Sequence, residues 1–150
     1  MKTIIFGGSF DPIHNGHIKL AQKALEVINA DRVVFMVAKN PRWKSKRTDD
    51  EHRYNMLLLG IKDHPSFIVS RLELDSNREV NYTYDTILAY KKEENEELYF
   101  LIGYDQLEQL HRWYKIEELS KFKKVEKMLD FYIHMCYHYN CLNMTLIKQN

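Results

Sequence analysis

Cysteine is scarce in this chain, and its only two cysteines, Cys136 and Cys141, lie close together near the end. Two cysteines are too few for a disulfide framework, and the number is typical of a reducing compartment. No apolar run is long enough to cross a bilayer. The short apolar run at the N-terminus meets Gly7 and Asp11 too early for a signal peptide. We therefore expect a cytoplasmic protein that does not work at a membrane.

The chain also lacks an excess of either charge. Its 22 lysines and arginines nearly cancel 21 aspartates and glutamates, which leaves a formal net charge of +1. This balance does not favour nucleic acid or an anionic membrane as a partner. With 150 residues and 45% hydrophobic content, the chain is long enough for one good core and too short to make two ordinary domains.

Glycine is also uncommon, and two of the five glycines, Gly7 and Gly8, stand side by side. The short, β-branched run 2–6 before them predicts a buried parallel strand. After them, apolar residues recur at helical spacing, at Ile18, Ala21, Leu25 and Ile28. The pattern predicts a strand, a glycine corner and a helix. We expect glycine here to supply unusual backbone conformations and a close approach of ligand to the main chain.

Two histidines follow the corner, His14 and His17, about one helical turn apart. A helix that begins near Asn15 has unpaired N–H groups and the positive end of its dipole at this place, where an anion binds well. Both imidazoles then reach the same phosphate oxygens and stabilise charge that grows during phosphoryl or nucleotidyl transfer. The alternative interpretation makes the histidines helix-cap groups or zinc ligands, although zinc would need further ligands nearby.

Further along the chain, the apolar runs 32–37, 67–70 and 98–102 predict three more strands. The basic loop 39–47, which contains Lys44, follows the first of these runs, at an edge where open α/β sheets bind ligands. The segment after it is predicted to be a packing helix, with Arg53 as an exception. After the last strand, Gly103 precedes Asp105, which suits either the hydroxyls of a ribose or a helix N-cap.

The stretch Gly-Ser-Phe-Asp-Pro-Ile-His-Asn-Gly-His resembles the signature of the nucleotidylyltransferase superfamily. Tyr-Thr-Tyr-Asp-Thr at 82–86, Ile-Gly-Tyr-Asp at 102–105 and Trp-Tyr at 113–114 resemble the bacterial nicotinate-nucleotide adenylyltransferases in kind and order. The resemblance covers residues 2 to about 121. It implies a Rossmann-like, doubly wound parallel sheet and adenylyl transfer from ATP to nicotinate mononucleotide with Mg²⁺, giving deamido-NAD and pyrophosphate.

The resemblance also implies roles for individual residues. The backbone of Gly7, Gly8 and Ser9 is implied to act on the ATP phosphates together with His14 and His17, and Phe10 is counted among the nucleotide-binding residues. The ribose of ATP is assigned to Gly103 with Asp105, and the nicotinate end to Thr83, Trp113 and Tyr114. Lys44 matches a basic residue of the family, although its loop here lacks the second proline and the histidine that the family pattern leads us to expect. No protein side chain is expected to hold the metal, and self-association stays open.

The chain departs from the family pattern after Ser120. The late motif Ile-Ser-Ser-Thr-x-Ile-Arg is absent, and the composition changes across 122–150. We therefore divide the chain into a catalytic core, 1–121, and a divergent C-terminal tail, 122–150, which lacks part of the usual C-terminal region. A truncated or frame-shifted gene explains this tail, and the alternative is a helix that covers the open sheet.

Three functions stay open at this point. They are an active nicotinate-nucleotide adenylyltransferase, a catalytically impaired nucleotide-binding remnant of that family, and a pantetheine-phosphate adenylyltransferase, whose shorter chain suits this length. Soft metal ligands in the tail are a further alternative, although their spacing matches no standard zinc module. The residues concerned are His134, Cys136, His138 and Cys141.

Overall fold

The fold is built on a five-stranded sheet in the order β3-β2-β1-β4-β5. A computed structural model describes residues 1–39, 48–78, 80–93, 97–103 and 144–148, together with Arg112 and Lys115. Within these residues the strands are β1 (Lys2–Gly8), β2 (Arg32–Val37), β3 (Phe67–Ser70), β4 (Glu97–Gly103) and β5 (Met144–Lys148). The helices are α1 (Asn15–Ile28), α2 (Asp50–Ile61) and α3 (Thr83–Glu93). No helix in the described ranges is long and apolar enough to span a membrane.

Strands β1 to β4 are parallel, as the apolar runs predicted. β1 lies at the centre, pairing with β2 on one side, where Phe6 faces Phe35, and with β4 on the other, where Phe6 faces Leu101. The chain therefore leaves β1 in one direction, reaches β3, and returns to the opposite side of β1 as β4. The carboxyl ends of β1 and β4 form the switch point where open α/β sheets bind ligands.

Helices cover both faces of this sheet, because successive residues of a strand point to opposite faces. On one face the side chains of Ile4, Phe6 and Phe35 pack with α1 and α2 in the main core. On the other face Ile5, Met36 and Leu98 form a smaller cluster with Tyr90 of α3. This two-sided covering confirms the predicted doubly wound, Rossmann-like class.

The described part of the tail differs from the helix considered for it. Residues Met144–Lys148 form β5, which runs antiparallel to β4 and places Ile147 opposite Phe100. The sheet is therefore mixed, with an antiparallel strand at its edge. The apolar and polar residues of 144–148 do not alternate cleanly, so the pairing of this strand depends on a partner more than 40 positions earlier, at 97–103.

Candidate active site

The carboxyl edge of the sheet brings together the two glycine-containing segments singled out in the sequence. Phe6 and Leu101 are register partners, and each precedes a strand end by two residues, at Gly8 and Gly103. The segment 9–14 between β1 and α1, called the corner after β1 below, therefore lies beside the end of β4 at the switch point. Helix α1 begins at the same edge, because it follows β1 and must return the chain to the start of parallel β2.

The expectation that Gly7 and Gly8 supply unusual backbone conformations is wrong. None of the glycines in the described residues has a positive φ, and Gly7 and Gly8 are the last two residues of β1. The left-handed residue is Phe10, at φ 47°. Gly8 leaves space for a neighbour instead, since a Cβ there would lie 3.3 Å from the Phe10 ring, which is a tight contact. Phe10 is 3% exposed, so its ring is part of the core and is not available to a ligand.

His14 and His17 form the start of α1. The two rings stack with centroids 3.7 Å apart. The His14 Nδ1 accepts a hydrogen bond from the Gly16 N–H at 3.1 Å, and the His17 Nδ1 accepts one from the His14 N–H at 3.2 Å. The helix-cap alternative therefore applies to both histidines, and it does not compete with a role toward a ligand because capping uses only Nδ1.

This capping fixes the protons of the two rings. A backbone N–H can only donate, so each Nδ1 is unprotonated and each neutral ring carries its proton on Nε2. Burial, with a smaller contribution from the charge of His14, lowers the pKa of His17 to about 4. His17 is therefore a neutral imidazole near pH 7 whose remaining hydrogen-bonding group is an Nε2–H donor.

The ring of His17 packs against aromatic side chains of the core. Its centroid lies 5.2 Å from that of Phe10 and 6.0 Å from that of Phe6, both in edge-on contacts. Phe10 in turn packs 5.3 Å from Phe6 and 5.4 Å from Phe35. The histidine is thus attached to the most buried layer of the sheet, which limits its movement.

Arg53 contributes to the same corner from α2, which sequence reasoning treated as a packing helix with Arg53 as an exception. Its side chain is fully buried and donates to the Ser9 carbonyl at 2.8 Å and the Thr48 carbonyl at 2.9 Å. The available signal was its spacing, since Arg53 occupies the same buried stripe as Leu57 and Ile61. A cation on an apolar stripe needs partners, but their identity depends on contacts far away in sequence.

The start of α3 borders a cavity of about 550 Å³. The Glu73 carboxylate accepts a hydrogen bond from the Thr86 hydroxyl at 2.7 Å, and the Asn81 amide donates to the Glu73 carbonyl at 3.4 Å. These bonds attach the segment after β3 to the first turns of α3, which carry the predicted residue Thr83. Thr83 is partly buried and begins the helix. The sequence analysis assigned no role to Glu73.

Glu73 makes stability depend on pH. Burial raises its pKa to about 7, although the bond from Thr86 opposes this shift. The folded protein then binds more protons than the unfolded chain between pH 4.5 and 7, so this group's contribution to stability is lost as pH rises through that range. Glu73→Gln keeps an acceptor for Thr86 but cannot ionise. Its free energy of unfolding relative to that of the wild type should therefore rise by about 2–3 kcal/mol as the pH is raised from 4.5 to 8.

Urea unfolding at several pH values measures this effect. The matched control is Asp63→Asn, because Asp63 is an exposed carboxylate. A difference between Glu73→Gln and the wild type that does not change with pH would contradict the assignment of a raised pKa to Glu73.

Several predicted residues lie outside the described part of the chain. They are Lys44, Asp105, Trp113 and Tyr114, with the tail residues His134, Cys136, His138 and Cys141. Lys39, from the start of the basic loop, is described, and its ammonium donates to the Ser76 carbonyl at 2.7 Å. Among the residues that the structure describes, no group of three His, Cys, Asp or Glu side chains is arranged to hold a metal ion.

A doubly wound sheet with a tight corner and a helix start at its switch point defines an α/β protein of the Rossmann-like class, in which ligands bind at that switch point. The chain belongs to the cytidylyltransferase-like family, whose model matches residues 5–150. That match includes the tail, whereas the resemblance seen in the motifs ended near residue 121.

Relatives at about 40% identity are nicotinate-nucleotide adenylyltransferases. The chain is 42% identical over 123 residues to the "Nicotinate-nucleotide adenylyltransferase" of Bacillus subtilis, with 79% of this chain and 65% of that protein covered. It is 39% identical over 127 residues to the "Probable nicotinate-nucleotide adenylyltransferase" of Clostridium tetani, with 83% and 63% covered. The resemblance drawn from the motifs is confirmed. The chain spans slightly less than two thirds of these relatives' lengths.

A solved structure has the same fold. It is the "Plasmodium falciparum nicotinic acid mononucleotide adenylyltransferase complexed with NaAD", with a TM-score of 0.66 and 26% sequence identity. The superposition covers 87% of this chain and 70% of that one.

Proposed function

We propose that this chain transfers the adenylyl group of ATP to nicotinate mononucleotide, forming deamido-NAD and releasing pyrophosphate. The observation that carries the proposal is the pair of stacked histidines at the start of α1, with rings 3.7 Å apart at the switch point of the sheet. The relatives named nicotinate-nucleotide adenylyltransferase support the choice of substrates.

The corner after β1 is proposed to hold the phosphates of ATP. Main-chain N–H groups from Gly7 to Phe10 are suitable donors, and the start of α1 adds the positive end of a helix dipole. The Nε2–H groups of His14 and His17 are available because each Nδ1 is occupied by a backbone N–H. Both histidines are proposed to donate to phosphate oxygens.

The reaction needs no protein nucleophile. An oxygen of the mononucleotide phosphate attacks the α-phosphorus of ATP in line and forms a new P–O bond. The bond between the α-phosphorus and the oxygen that bridges the α- and β-phosphates breaks at the same time. The bonding electron pair leaves with pyrophosphate. The protein's task is to align the two substrates and to stabilise the charge that grows on the phosphoryl oxygens. The two capped histidines do this as oriented donors that need no rearrangement during the reaction.

The remaining predicted residues complete the proposed site. Gly103 and Asp105 are proposed to bind the ribose of ATP, which the position of Gly103 beside the β1 corner supports. Thr83 is proposed to meet the nicotinate end, together with Trp113 and Tyr114. Its position at the start of α3 supports this, because free amides at a helix start suit the nicotinate carboxylate. Lys44 is proposed to neutralise phosphate charge from the basic loop.

Mg²⁺ is proposed to arrive with ATP. Magnesium usually keeps several waters and binds through substrate phosphates, so it does not require a protein cage of the kind that is missing from the described residues. When bound there, the ion would neutralise phosphate charge. The two cysteines and the small net charge support the proposed setting, which is the cytoplasm, with ATP and nicotinate mononucleotide as partners and without nucleic acid or membrane.

Pyrophosphate release by the purified chain tests the choice of acceptor. Separate reactions contain ATP and Mg²⁺ with nicotinate mononucleotide, nicotinamide mononucleotide or phosphopantetheine. We expect the fastest release with nicotinate mononucleotide. Preference for phosphopantetheine would replace the proposal with the pantetheine-phosphate reaction. Binding of ATP without release of pyrophosphate in the presence of any of the three acceptors would identify the chain as an impaired remnant.

A further inference from the structure

Arg53 is a fully buried cation, and two of its three acceptors are main-chain carbonyls, one of them at Ser9 in the corner after β1. Its Nη1 donates to the Ser9 carbonyl at 2.8 Å, its Nε donates to the Thr48 carbonyl at 2.9 Å, and its Nη2 pairs with the Asp50 carboxylate. Only one of these three partners is charged. Burial of a guanidinium is costly unless its donors are satisfied, so the contacts to the two carbonyls are needed to keep Arg53 in place.

The bond to Ser9 determines the orientation of a peptide group. In a trans peptide, the C=O and the following N–H point in opposite directions. The Asp11–Pro12 bond is the cis peptide in the described residues, so the peptide that joins Ser9 to Phe10 is trans. Because Arg53 draws the Ser9 carbonyl toward α2, the Phe10 N–H must point away from α2.

The same peptide is next to a backbone conformation that needs support. Phe10 has φ 47°, in the left-handed region that bulky side chains rarely adopt. Such a residue persists only where its surroundings fix it on several sides. Here the ring of Phe10 is held in the aromatic core, and the carbonyl before it is held by Arg53.

A second contact joins the same two segments. The Thr48 N–H donates to the Asp11 carboxylate at 3.0 Å, while the Thr48 carbonyl accepts from Arg53. Residues 48–53 therefore hold the corner on both sides of Phe10, at Ser9 and at Asp11.

We propose that Arg53 is a positioning residue for phosphate binding, because it turns the Ser9–Phe10 peptide so that the Phe10 N–H faces the phosphates of a bound nucleotide. Arg53 does not itself touch the nucleotide. The inference rests on the proposed function in one respect, namely that ATP is the ligand of the corner.

Two substitutions of Arg53 and one matched control test this role. Arg53→Lys keeps the positive charge but cannot donate to three acceptors in a planar fork. Arg53→Gln is measured in parallel, so that the role of Arg53 can be tested even if only one of the two variants folds. The control is Asp50→Asn, which changes the charged partner of Arg53 and leaves its bonds to the two carbonyls. Titration calorimetry well below the melting temperature gives Kd for ATP and, separately, for nicotinate mononucleotide.

A positioning role and a merely structural role give different results. We expect the Kd for ATP to rise about tenfold or more in a folded Arg53 variant, the size of one lost hydrogen bond to a charged group. The Kd for nicotinate mononucleotide should change less than about twofold, and Asp50→Asn should bind ATP nearly as the wild type does. An Arg53 variant that melts earlier but binds ATP normally, or that loses both ligands equally, would overturn the proposal.

The amide resonance of Phe10 separates this inference from the proposed function. In ¹⁵N-correlated spectra of the protein without ligand, the Phe10 signal should shift strongly in the Arg53 variants and little in Asp50→Asn. Absence of turnover in a wild type that binds ATP would count against the proposed reaction alone. An unchanged Phe10 signal in the Arg53 variants would count against the positioning role, whatever the reaction is.

Discussion

Replacement of His17 by alanine is expected to lower kcat for adenylyl transfer about 10²–10³-fold, which is ~3–4 kcal/mol of lost transition-state stabilisation. The proposed reason is the loss of an oriented Nε2–H donor at the site of growing negative charge. The ring is held for this task by the His14 N–H on one side and by the aromatic core on the other. KM for ATP should change much less than kcat, because the donor matters most in the transition state.

Two further variants make the His17 experiment specific. In His17→Gln the side-chain amide can place a neutral N–H near the position of Nε2, so this variant should retain more activity than His17→Ala. His52→Ala is the matched control, because His52 is an exposed histidine on α2. Steady-state kinetics with pyrophosphate detection gives both constants. A loss below tenfold in His17→Ala, or a loss confined to KM, would contradict the proposed role of His17.

Phe10→Ala is expected to lower the free energy of unfolding by about 3–5 kcal/mol. The side chain is 3% exposed and lies within 5.4 Å, between ring centroids, of Phe6, Phe35 and His17. Its removal leaves a cavity between the sheet and the start of α1. Alanine also gives no relief from the left-handed backbone at this position, since it still carries a Cβ.

Urea unfolding measures this loss from the transition midpoint at constant m-value. Phe10→Leu should lose less, because leucine fills part of the same space. Leu59→Ala is the control, since Leu59 is 69% exposed and its truncation should change stability by less than about 0.5 kcal/mol. A loss in Phe10→Ala that is no larger than in the Leu59 control would show that the ring does not support the corner.

The sequence predicted most of the described fold because the periodicities are clear. Short apolar runs correspond to β1 to β4, and the stripe from Ile18 to Ile28 lies in α1. The histidine pair was placed at a helix start for the same reason. β5 was missed because its residues show no clean period, and strand pairing with β4 is a long-range contact.

The details of the site were less predictable, because they depend on distances and dihedral angles. Gly7 and Gly8 suggested unusual backbone angles, but the left-handed residue is Phe10, and Gly8 leaves space for the Phe10 ring. Arg53 acts on a carbonyl 44 positions away in sequence. No local pattern identifies such a partner, although a cation on a buried stripe indicates that one exists.

Transfer of the adenylyl group from ATP to nicotinate mononucleotide is tested most directly by following that group. ATP labelled with ³²P at the α-phosphate is incubated with the purified chain, Mg²⁺ and nicotinate mononucleotide, and the products are separated by chromatography. We expect the label to appear in deamido-NAD. Label that stays in ATP, or that appears as AMP without the dinucleotide, would contradict the proposed transfer.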